Sequence, residues 1–412
     1  MRQIKYFFIY ITLLLPLSIS KAFGDSIKVG VLHSLSGTMA ISEKSVVDAV
    51  LLAIDEINTS GGINGKTVIP IIRDGASDWP TFAAQAEDLI TKEEVKVIFG
   101  CWTSASRKTV KPVLEKYDHL MFYPVQYEGL EQSPNIVYTG AAPNQQLLPA
   151  ADWAMKNIGK KIFLVGSDYV FPQSANAILI DAIKKQGGSV VGEEYVPLGS
   201  HNVNDMINKI KKTKPDVILN SINGDTNVTF FNQLDQAGLN ADKLPVISFS
   251  ISEPELQVMG ATKVKGHYAA WNYFQSIDRR ENKKFVASIQ SRIGSNYTVS
   301  DPMAAGYLGV YLWQAAVEAA GSVEPKEVRK ALGNVSYNAP QGLVSIDQAT
   351  QHTKKKVYIG QIRGDGQFDI VWESKDLVDP IPYPDSRTKV EWEAYLQNLY
   401  NDWDQNWANP NE

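Results

Sequence analysis

The residues between Phe99 and Gly129 have the types and spacing that a small-molecule site needs. The segment leaves a buried-type strand, turns through small hydroxyl residues into a helix, and returns as a second strand that ends in a Tyr-Pro turn. In an open α/β sheet, ligands bind outside the carboxyl ends of the strands. We therefore expect one crevice that recognises a small polar molecule. Its predicted lining residues are Trp102, Thr103, Ser104, Tyr123 and Gln126.

The start of the predicted helix offers hydrogen-bond donors to a ligand. Ser104, Ala105 and Ser106 open this helix, and the first amides of a helix lack intrahelical partners. Those N–H groups are able to donate to a carbonyl or carboxylate oxygen. Ser104 has a second possible role as the N-cap of the helix, because serine is favoured at that position. The sequence leaves both roles open.

Two copies of one pattern are expected to position this crevice. In the first copy, strands are predicted at 27–32, 67–72 and 95–100, with a helix between each pair. The same βαβαβ pattern recurs between Lys161 and Ser221. Alternating strands and helices imply parallel sheets joined by right-handed crossovers. We predict an α/β fold with two lobes that face a shared cleft.

The chain is expected to cross between the two lobes three times. Residues 140–153 supply the first crossing, and a helix over 303–320 and a hairpin that turns at Gly364 imply two more. Two lobes joined in this way form a hinged clamp. The predicted ranges are 25–147 plus 275–345 for lobe one and 148–274 plus 346–412 for lobe two.

The first 24 residues have the pattern of a secretory signal peptide. Arg2 and Lys5 precede an apolar run over 6–19, and Ala22 to Gly24 supplies the small residues of a cleavage site. We predict cleavage near Gly24 and export to the periplasm. No cysteine lies directly after the apolar run, so a lipoprotein anchor is not expected. No later segment reaches the roughly 18 uncharged apolar residues that a membrane span needs.

The sequence lacks the residue patterns of an enzyme or a metal site. Cys101 is the only cysteine, so it is expected to be a small buried residue rather than a nucleophile. The five histidines show no paired metal-ligand spacing, and no GxSxG nucleophile elbow occurs. We predict no enzyme activity, no cofactor and no metal. A net charge of −5 without basic blocks argues against nucleic acid as a partner.

Several longer motifs resemble one family of transport proteins. FYPVQYEG (122–129), PNIVYTGAAPNQQ (134–146) and GSDYVFP (166–172) closely resemble motifs of the periplasmic urea and short-chain-amide binding proteins of ABC transporters. SGGING (60–65) is common to the wider branched-chain amino-acid receptor group. The resemblance spans essentially the whole mature chain. It implies the type I periplasmic binding protein fold, a Venus-flytrap of two Rossmann-like lobes.

The resemblance also implies ligand-binding roles for three residues. Ser104, Tyr123 and Tyr169 match the serine of the turn, the tyrosine of YPxxYEG and the tyrosine of GSDYxxP. Where the cytoplasmic amide sensors have threonine, this chain has Val125, and Gln126 is then a candidate polar substitute. Tyr169 has an alternative role as a core residue.

The strand ends of the second lobe supply further candidates: Asn223, Asp225, Ser252, Glu253 and Trp271. Three of them have structural alternatives. Asp225 is a possible N-cap for a helix from Thr226, Glu253 a first-turn helix acid, and Trp271 a packing residue.

Together these features predict a periplasmic receptor that captures urea by lobe closure and passes it to an inner-membrane ABC permease and its ATPase. Urea has four N–H donors, one carbonyl and no net charge, so a dry cleft must supply mainly acceptors. A receptor for short-chain amides or branched-chain amino acids is the alternative. For an amino acid, Ser104 with Ser106 and the helix amides would hold the carboxylate, and Asp225 or Glu253 the ammonium group. A secreted hydrolase and a ligand-sensing ectodomain are weaker alternatives, and a monomer is expected.

Overall fold

A five-stranded parallel sheet forms the core of lobe one. The structure, a computed structural model, describes residues 26–410, so the predicted signal peptide lies outside the described residues. The elements of this part of the chain are β1 (Ile27–His33), α1 (Ala40–Thr59), β2 (Val68–Asp74), α2 (Trp79–Thr91), β3 (Ile98–Gly100), α3 (Ser104–Lys116), β4 (Met121–Tyr123) and β5 (Ile136–Tyr138). The strand order is β2-β1-β3-β4-β5, and every neighbouring pair is parallel.

A second parallel sheet forms the core of lobe two. Its elements are α4 (Leu147–Asn157), β6 (Lys161–Ser167), α5 (Val170–Lys185), β7 (Ser189–Val196), α6 (Asn204–Thr213), β8 (Val217–Ser221), α7 (Thr226–Gln236), β9 (Val246–Ser248), α8 (Glu253–Met259), α9 (Ala261–Val264) and β10 (Tyr268–Trp271). These strands lie in the order β10-β9-β8-β6-β7 and run parallel. The two lobes with parallel sheets confirm the predicted fold class.

The last third of the chain contributes to both lobes. Its elements are α10 (Arg280–Ile293), α11 (Asp301–Ala320), α12 (Pro325–Ala331), β11 (Ser336–Ala339), β12 (Gly342–Ile346), β13 (Thr353–Lys354), β14 (Tyr358–Ile362), β15 (Phe368–Glu373) and α13 (Lys389–Asp402). β11, β12 and β13 form a small antiparallel sheet. The predicted hairpin is β14 and β15, which extend the sheet of lobe two as antiparallel strands beside β10.

The chain passes between the sheets three times. It leaves the first sheet after β5, leaves the second sheet after β10, and returns to it at β14. Between β10 and β14, α11 packs on α1 of lobe one, where the Tyr307 hydroxyl donates to the Glu56 carboxylate over 2.5 Å. The multiple crossings agree with the sequence prediction. Within residues 26–410, no helix is long and apolar enough to cross a bilayer.

The last helix, α13, packs through an apolar stripe. In α13, Trp392 and Leu396 are buried, and Trp403 is buried just beyond its end. The Trp392 indole nitrogen also donates to the Pro384 carbonyl over 2.9 Å. The apolar stripe is therefore a packing surface of lobe two.

Gly140 permits close backbone contact between two segments of lobe one. A Cβ atom at Gly140 would lie 1.9 Å from the Val125 carbonyl oxygen and 2.6 Å from the Gln126 nitrogen. We expect Gly140→Ala to lower the free energy of unfolding by about 1–3 kcal/mol or more, because backbone has to move to make room. Thermal unfolding by calorimetry measures this effect.

Gly309→Ala is the matched control for Gly140→Ala. A Cβ atom at Gly309, inside α11, meets its nearest neighbour, Phe122, at 3.6 Å, which is an ordinary contact. Alanine in a helix interior is favoured over glycine by about 0.5–1 kcal/mol. We expect the control to keep or raise the melting temperature. Equal melting temperatures for the two variants would show that the close contact at Gly140 is absent.

Candidate functional site

The carboxyl ends of the two sheets face each other, and side chains contact across the cleft. The Trp102 indole nitrogen, after β3, donates to Asn223 Oδ1, after β8, over 3.4 Å. Gln126 Nε2, after β4, donates to the Phe249 carbonyl, after β9, over 2.7 Å. The crevice predicted at the strand ends is therefore closed by residues from both lobes.

Two hydroxyl–carboxylate contacts join the start of α1 to lobe two. The Thr38 hydroxyl donates to Asp225 Oδ1, and the Ser42 hydroxyl donates to Glu255 Oε1 over 2.6 Å. Burial raises the pKa of Glu255 above its ordinary value. The first turn of α1 thus forms part of the contact between the lobes.

The side of the cleft that lobe one forms contains a buried ion pair between Arg107 and Glu128. Arg107, on α3, donates from Nη2 to Glu128 Oε1 over 3.0 Å and from Nη1 to the Ser104 hydroxyl oxygen over 3.0 Å. The Ser104 hydroxyl donates in turn to the other Glu128 oxygen. The charged side chains of Arg107 and Glu128 are fully buried. Ser104 is therefore held by a charged pair at the start of α3.

A second carboxylate balances the charges on this side of the cleft. Glu131 accepts from Arg107 Nε over 2.9 Å and from Lys108 Nζ over 3.1 Å. Burial alone would raise the pKa of Glu131, but the charges of Arg107 and Lys108 outweigh it and hold that pKa well below its usual value. Two cations and two carboxylates thus form one cluster without net charge. We call these four residues, together with the Ser104 hydroxyl, the Arg107 cluster.

The start of α3 is capped by Thr103. The Thr103 hydroxyl oxygen accepts from the Ser106 backbone nitrogen over 3.0 Å, and the Ser106 hydroxyl donates to the Thr103 carbonyl over 2.9 Å. The alternative that Ser104 caps this helix is therefore wrong. The Ser106 hydroxyl also takes part in this cap, through its contact with the Thr103 carbonyl.

One predicted residue of lobe one carries a buried polar atom without a partner. Among residues 26–410, Gln126 Oε1 is buried and accepts no hydrogen bond. Tyr123 differs, because its hydroxyl donates to the Trp102 carbonyl. Tyr169, after β6, is buried at the start of α5. A buried polar atom without a partner is costly, so Gln126 is a candidate for contact with a ligand.

The sequence of this chain matches a known protein family over most of its length. A family model described as a periplasmic binding protein domain matches residues 27–389. The chain belongs to the periplasmic binding protein family. The type I fold implied by the motif resemblance is thereby confirmed, and membership agrees with the export expected from residues 1–24.

Relatives of this binding protein share its length and fold. Leu/Ile/Val-binding protein homolog 6 of Brucella melitensis is 25% identical over 353 residues, which are 84% of this chain and 90% of that protein. An ABC transporter solute-binding protein of R. palustris, solved with 4-hydroxybenzoate, is 28% identical with a TM-score of 0.79, over 86% of this chain and 98% of its own. LivJ of Streptococcus pneumoniae, solved with isoleucine, is 20% identical with a TM-score of 0.74, over 86% and 100%, and shows the fold alone.

In lobe two of this binding protein, Asp225 and Trp271 have protein partners. Asp225 occupies the N-cap position of α7, but its side chain makes no capping hydrogen bond, so the predicted cap role is wrong. Its Oδ1 accepts from Thr38 instead. The Trp271 indole nitrogen donates to the Ile251 carbonyl over 2.7 Å, and the ring is buried, as the packing alternative predicts.

Ser252 and Glu253 begin α8. The Ser252 hydroxyl and backbone nitrogen both contact Glu255 Oε2, at 2.7 and 3.0 Å. Glu253 is the first residue of the helix, as its structural alternative predicts, and its Oε1 accepts from the Gln275 backbone nitrogen over 2.7 Å. Burial raises the pKa of Glu253 to about 8, and its Oε2 is unpartnered.

The sequence prediction missed Arg107, Glu128 and Glu43. Glu128 lies inside the YPxxYEG motif, so its position in a ligand-binding segment was a usable signal. Nothing in the sequence pairs it with Arg107. Glu43 lies in the first turn of α1, where Oε2 accepts from His33 Nδ1 over 3.1 Å and from the Ser34 nitrogen over 2.8 Å. Both contacts of Glu43 form only in the folded chain, so the sequence alone did not show them.

Cys101 is buried, and burial raises the pKa of its thiol above the ordinary value. In the part of the chain that the structure describes, no group of three or more His, Cys, Asp or Glu side chains is placed to hold a metal ion.

Proposed function

We propose that this protein is the solute-binding component of an ABC transporter and captures urea, or a short-chain amide, between its lobes. It then delivers this solute to an inner-membrane permease that works with an ATPase. Its role is binding and not catalysis. The observation that carries the proposal is the internal charge balance of the Arg107 cluster.

The charge balance favours an uncharged ligand. Arg107 and Lys108 already contact carboxylates of their own chain, at 2.9–3.1 Å. A ligand carboxylate near Ser104 would meet the Glu128 carboxylate, and burying like charges side by side is costly. Urea and small amides bring no charge and leave the cluster undisturbed.

The polar atoms of Gln126 and Tyr169 also suit an amide. Gln126 Oε1 is an acceptor for a ligand N–H group, and the Tyr169 hydroxyl is able to donate to a ligand carbonyl. Both residues belong to the motifs that resemble those of urea and amide receptors. Trp102 and Tyr123 add aromatic surface beside them, which keeps the site dry.

A branched-chain amino-acid receptor is the second candidate, and the relative named Leu/Ile/Val-binding protein homolog 6 favours it. The predicted carboxylate cradle fits poorly, because the hydroxyls of Ser104 and Ser106 already donate to Glu128 and Thr103. The predicted ammonium partners fit poorly too. Asp225 already accepts from the Thr38 hydroxyl, and Glu253, with a pKa of about 8, is mostly uncharged at neutral pH.

A ligand panel tests the proposal. The mature chain from Asp25 is titrated calorimetrically with urea, acetamide, formamide, thiourea, leucine and 4-hydroxybenzoate, and each ligand is added in thermal unfolding. We expect binding of urea or a small amide, and at about a hundred times the dissociation constant a stabilisation of roughly 2.7 kcal/mol. Binding of leucine or 4-hydroxybenzoate with no response to any amide would overturn the assignment.

A further inference from the structure

Glu43 carries a buried carboxylate oxygen that has no hydrogen-bond partner among residues 26–410. We propose that Glu43 contacts the ligand and determines specificity: its free oxygen accepts N–H groups of an uncharged amide and excludes the matching carboxylate. The inference rests on the proposed function and adds a residue that neither the motifs nor the strand-end pattern identified.

The position of Glu43 places it at the cleft. β1 ends at His33, at the edge of the sheet that faces the other lobe, and α1 begins a few residues later. Thr38 and Ser42, on either side of the helix start, donate to carboxylates of lobe two. Glu43 follows Ser42 directly and is fully buried. It therefore lies among residues that meet the opposite lobe.

Two hydrogen bonds hold the Glu43 carboxylate in one orientation. Oε2 accepts from His33 Nδ1 over 3.1 Å and from the Ser34 backbone nitrogen over 2.8 Å. Oε1 is buried and accepts from no residue that the structure describes. An unmade hydrogen bond at a buried carboxylate is costly, so a donor from a ligand would stabilise this arrangement. Because Oε2 is fixed by two hydrogen bonds, Oε1 points in a defined direction.

The His33 partner of Glu43 lies at a strand end beside the predicted site. His33 ends β1, and the carbonyl of Leu32 before it accepts from the Cys101 nitrogen over 2.9 Å, directly before Trp102. Glu43 is therefore held at the strand end next to the one that carries Trp102. Together with Gln126 Oε1, Glu43 Oε1 gives the site two unpartnered acceptors, and the buried Tyr169 adds a hydroxyl. An amide with N–H donors and one carbonyl matches that set.

Glu43→Gln is a sharp test because the two fixed donors decide how the amide side chain sits. His33 and Ser34 donate to the position of Oε2, so the glutamine oxygen takes that position and its NH₂ group takes the position of Oε1. That NH₂ group faces the N–H donors of the ligand. We expect affinity for urea and acetamide to fall about ten- to a hundredfold. Acetate is not expected to lose affinity in this variant, because the new NH₂ group is able to donate to its carboxylate.

The decisive readout is the ratio of acetamide to acetate affinity, measured by titration calorimetry. Wild-type protein should prefer acetamide, and Glu43→Gln should shrink or reverse that preference. Glu56→Gln is the matched control: Glu56 lies on the same helix and accepts from Tyr307 and Tyr311 away from the cleft. The control should keep the wild-type ratio. A merely structural role for Glu43 would change the melting temperature without changing the ratio.

The outcomes separate the two proposals. Wild-type protein that binds neither urea nor any small amide would overturn the proposed function. Wild-type protein that binds an amide, together with an unchanged affinity and ratio in Glu43→Gln, would overturn the role of Glu43 alone. If Glu43→Gln shows no cooperative unfolding, Glu43→Asp replaces it. We then expect weaker acetamide binding with acetate still excluded, and unchanged acetamide binding would overturn the inference.

Discussion

Arg107→Met is expected to lower the free energy of unfolding by about 3–5 kcal/mol, the cost of breaking a buried ion pair on one side. The substitution leaves Glu128 and Glu131 buried without the guanidinium that contacts both of them at 2.9–3.0 Å. It also removes the cation from the faces of Tyr123 and Tyr127, which lie 4.9 and 4.5 Å from it. Thermal unfolding by calorimetry near neutral pH measures the loss.

Arg292→Met provides the control with the same chemical change. Arg292 pairs with Asp55 on the surface, and the two side chains are 36% and 55% exposed. Exposed pairs contribute about 0–1 kcal/mol, so the control should unfold close to the wild-type temperature. Similar losses in both variants would show that the Arg107 pair is not buried in solution.

The lobes could be predicted from the sequence because each element carries its own periodic signal. The apolar stripe of α6 and the run of buried residues in β8 need only local information. The small sheet of β11, β12 and β13 was not predicted. Its strands span two to five residues, and such lengths carry little periodicity.

The strand-end rule placed Trp102 and Asn223 in one cleft, where they contact each other. It could not give their hydrogen-bond partners, because these depend on how distant elements pack. The Thr38 hydroxyl meets Asp225 from 187 positions away, and Glu255 meets Ser42 from 213 positions away. Asp225 was therefore assigned to a ligand or a helix cap, and its contact with Thr38 was not foreseen.

The same reason explains why Arg107 and Glu43 were missed. From the sequence alone, an arginine in one helix and a glutamate in another are expected to be solvated surface charges, because charged residues are seldom fully buried. Their burial follows only from the meeting of α3, α1 and the strand ends. Close motif resemblance pointed to the right segments, and the folded structure identified the charged side chains inside them.

The stability of the protein is expected to fall as pH rises from 6.5 to 8, because Glu253 is buried as a neutral carboxyl. Burial, together with the smaller effect of the charges of Glu255 and Asp301, raises its pKa from 4.5 to about 8. The native state therefore holds a proton that the unfolded chain has released above its ordinary pKa. Stability from this group is present at low pH and is lost as pH rises toward 8. The expected slope is roughly 1.4 kcal/mol per pH unit.

Other groups titrate at the edges of this pH window. The pKa of Asp301 is raised to about 6, and those of His267 and His352 are lowered to about 4 and 3 from 6.5, so their effects fade above pH 6.5. The pKa of Lys355 is lowered to about 8 from 10.5, so Lys355 begins to lose its proton at the upper edge. Because Glu253→Gln leaves these groups in place, the difference between wild type and variant isolates the contribution of Glu253.

Glu253→Gln should flatten this pH dependence, because glutamine keeps an acceptor for the Gln275 nitrogen and has no proton to lose. Over the window, wild-type protein should lose roughly 2 kcal/mol more than the variant. Calorimetric unfolding at pH 6.5 and 8 measures both, and Glu318→Gln, at an exposed position of α11, should behave as wild type. An equal slope in wild type and Glu253→Gln would mean that the Glu253 carboxyl is ionised in the folded protein. A buried carboxylate at the start of α8 would then need a cation, and the described contacts do not supply one.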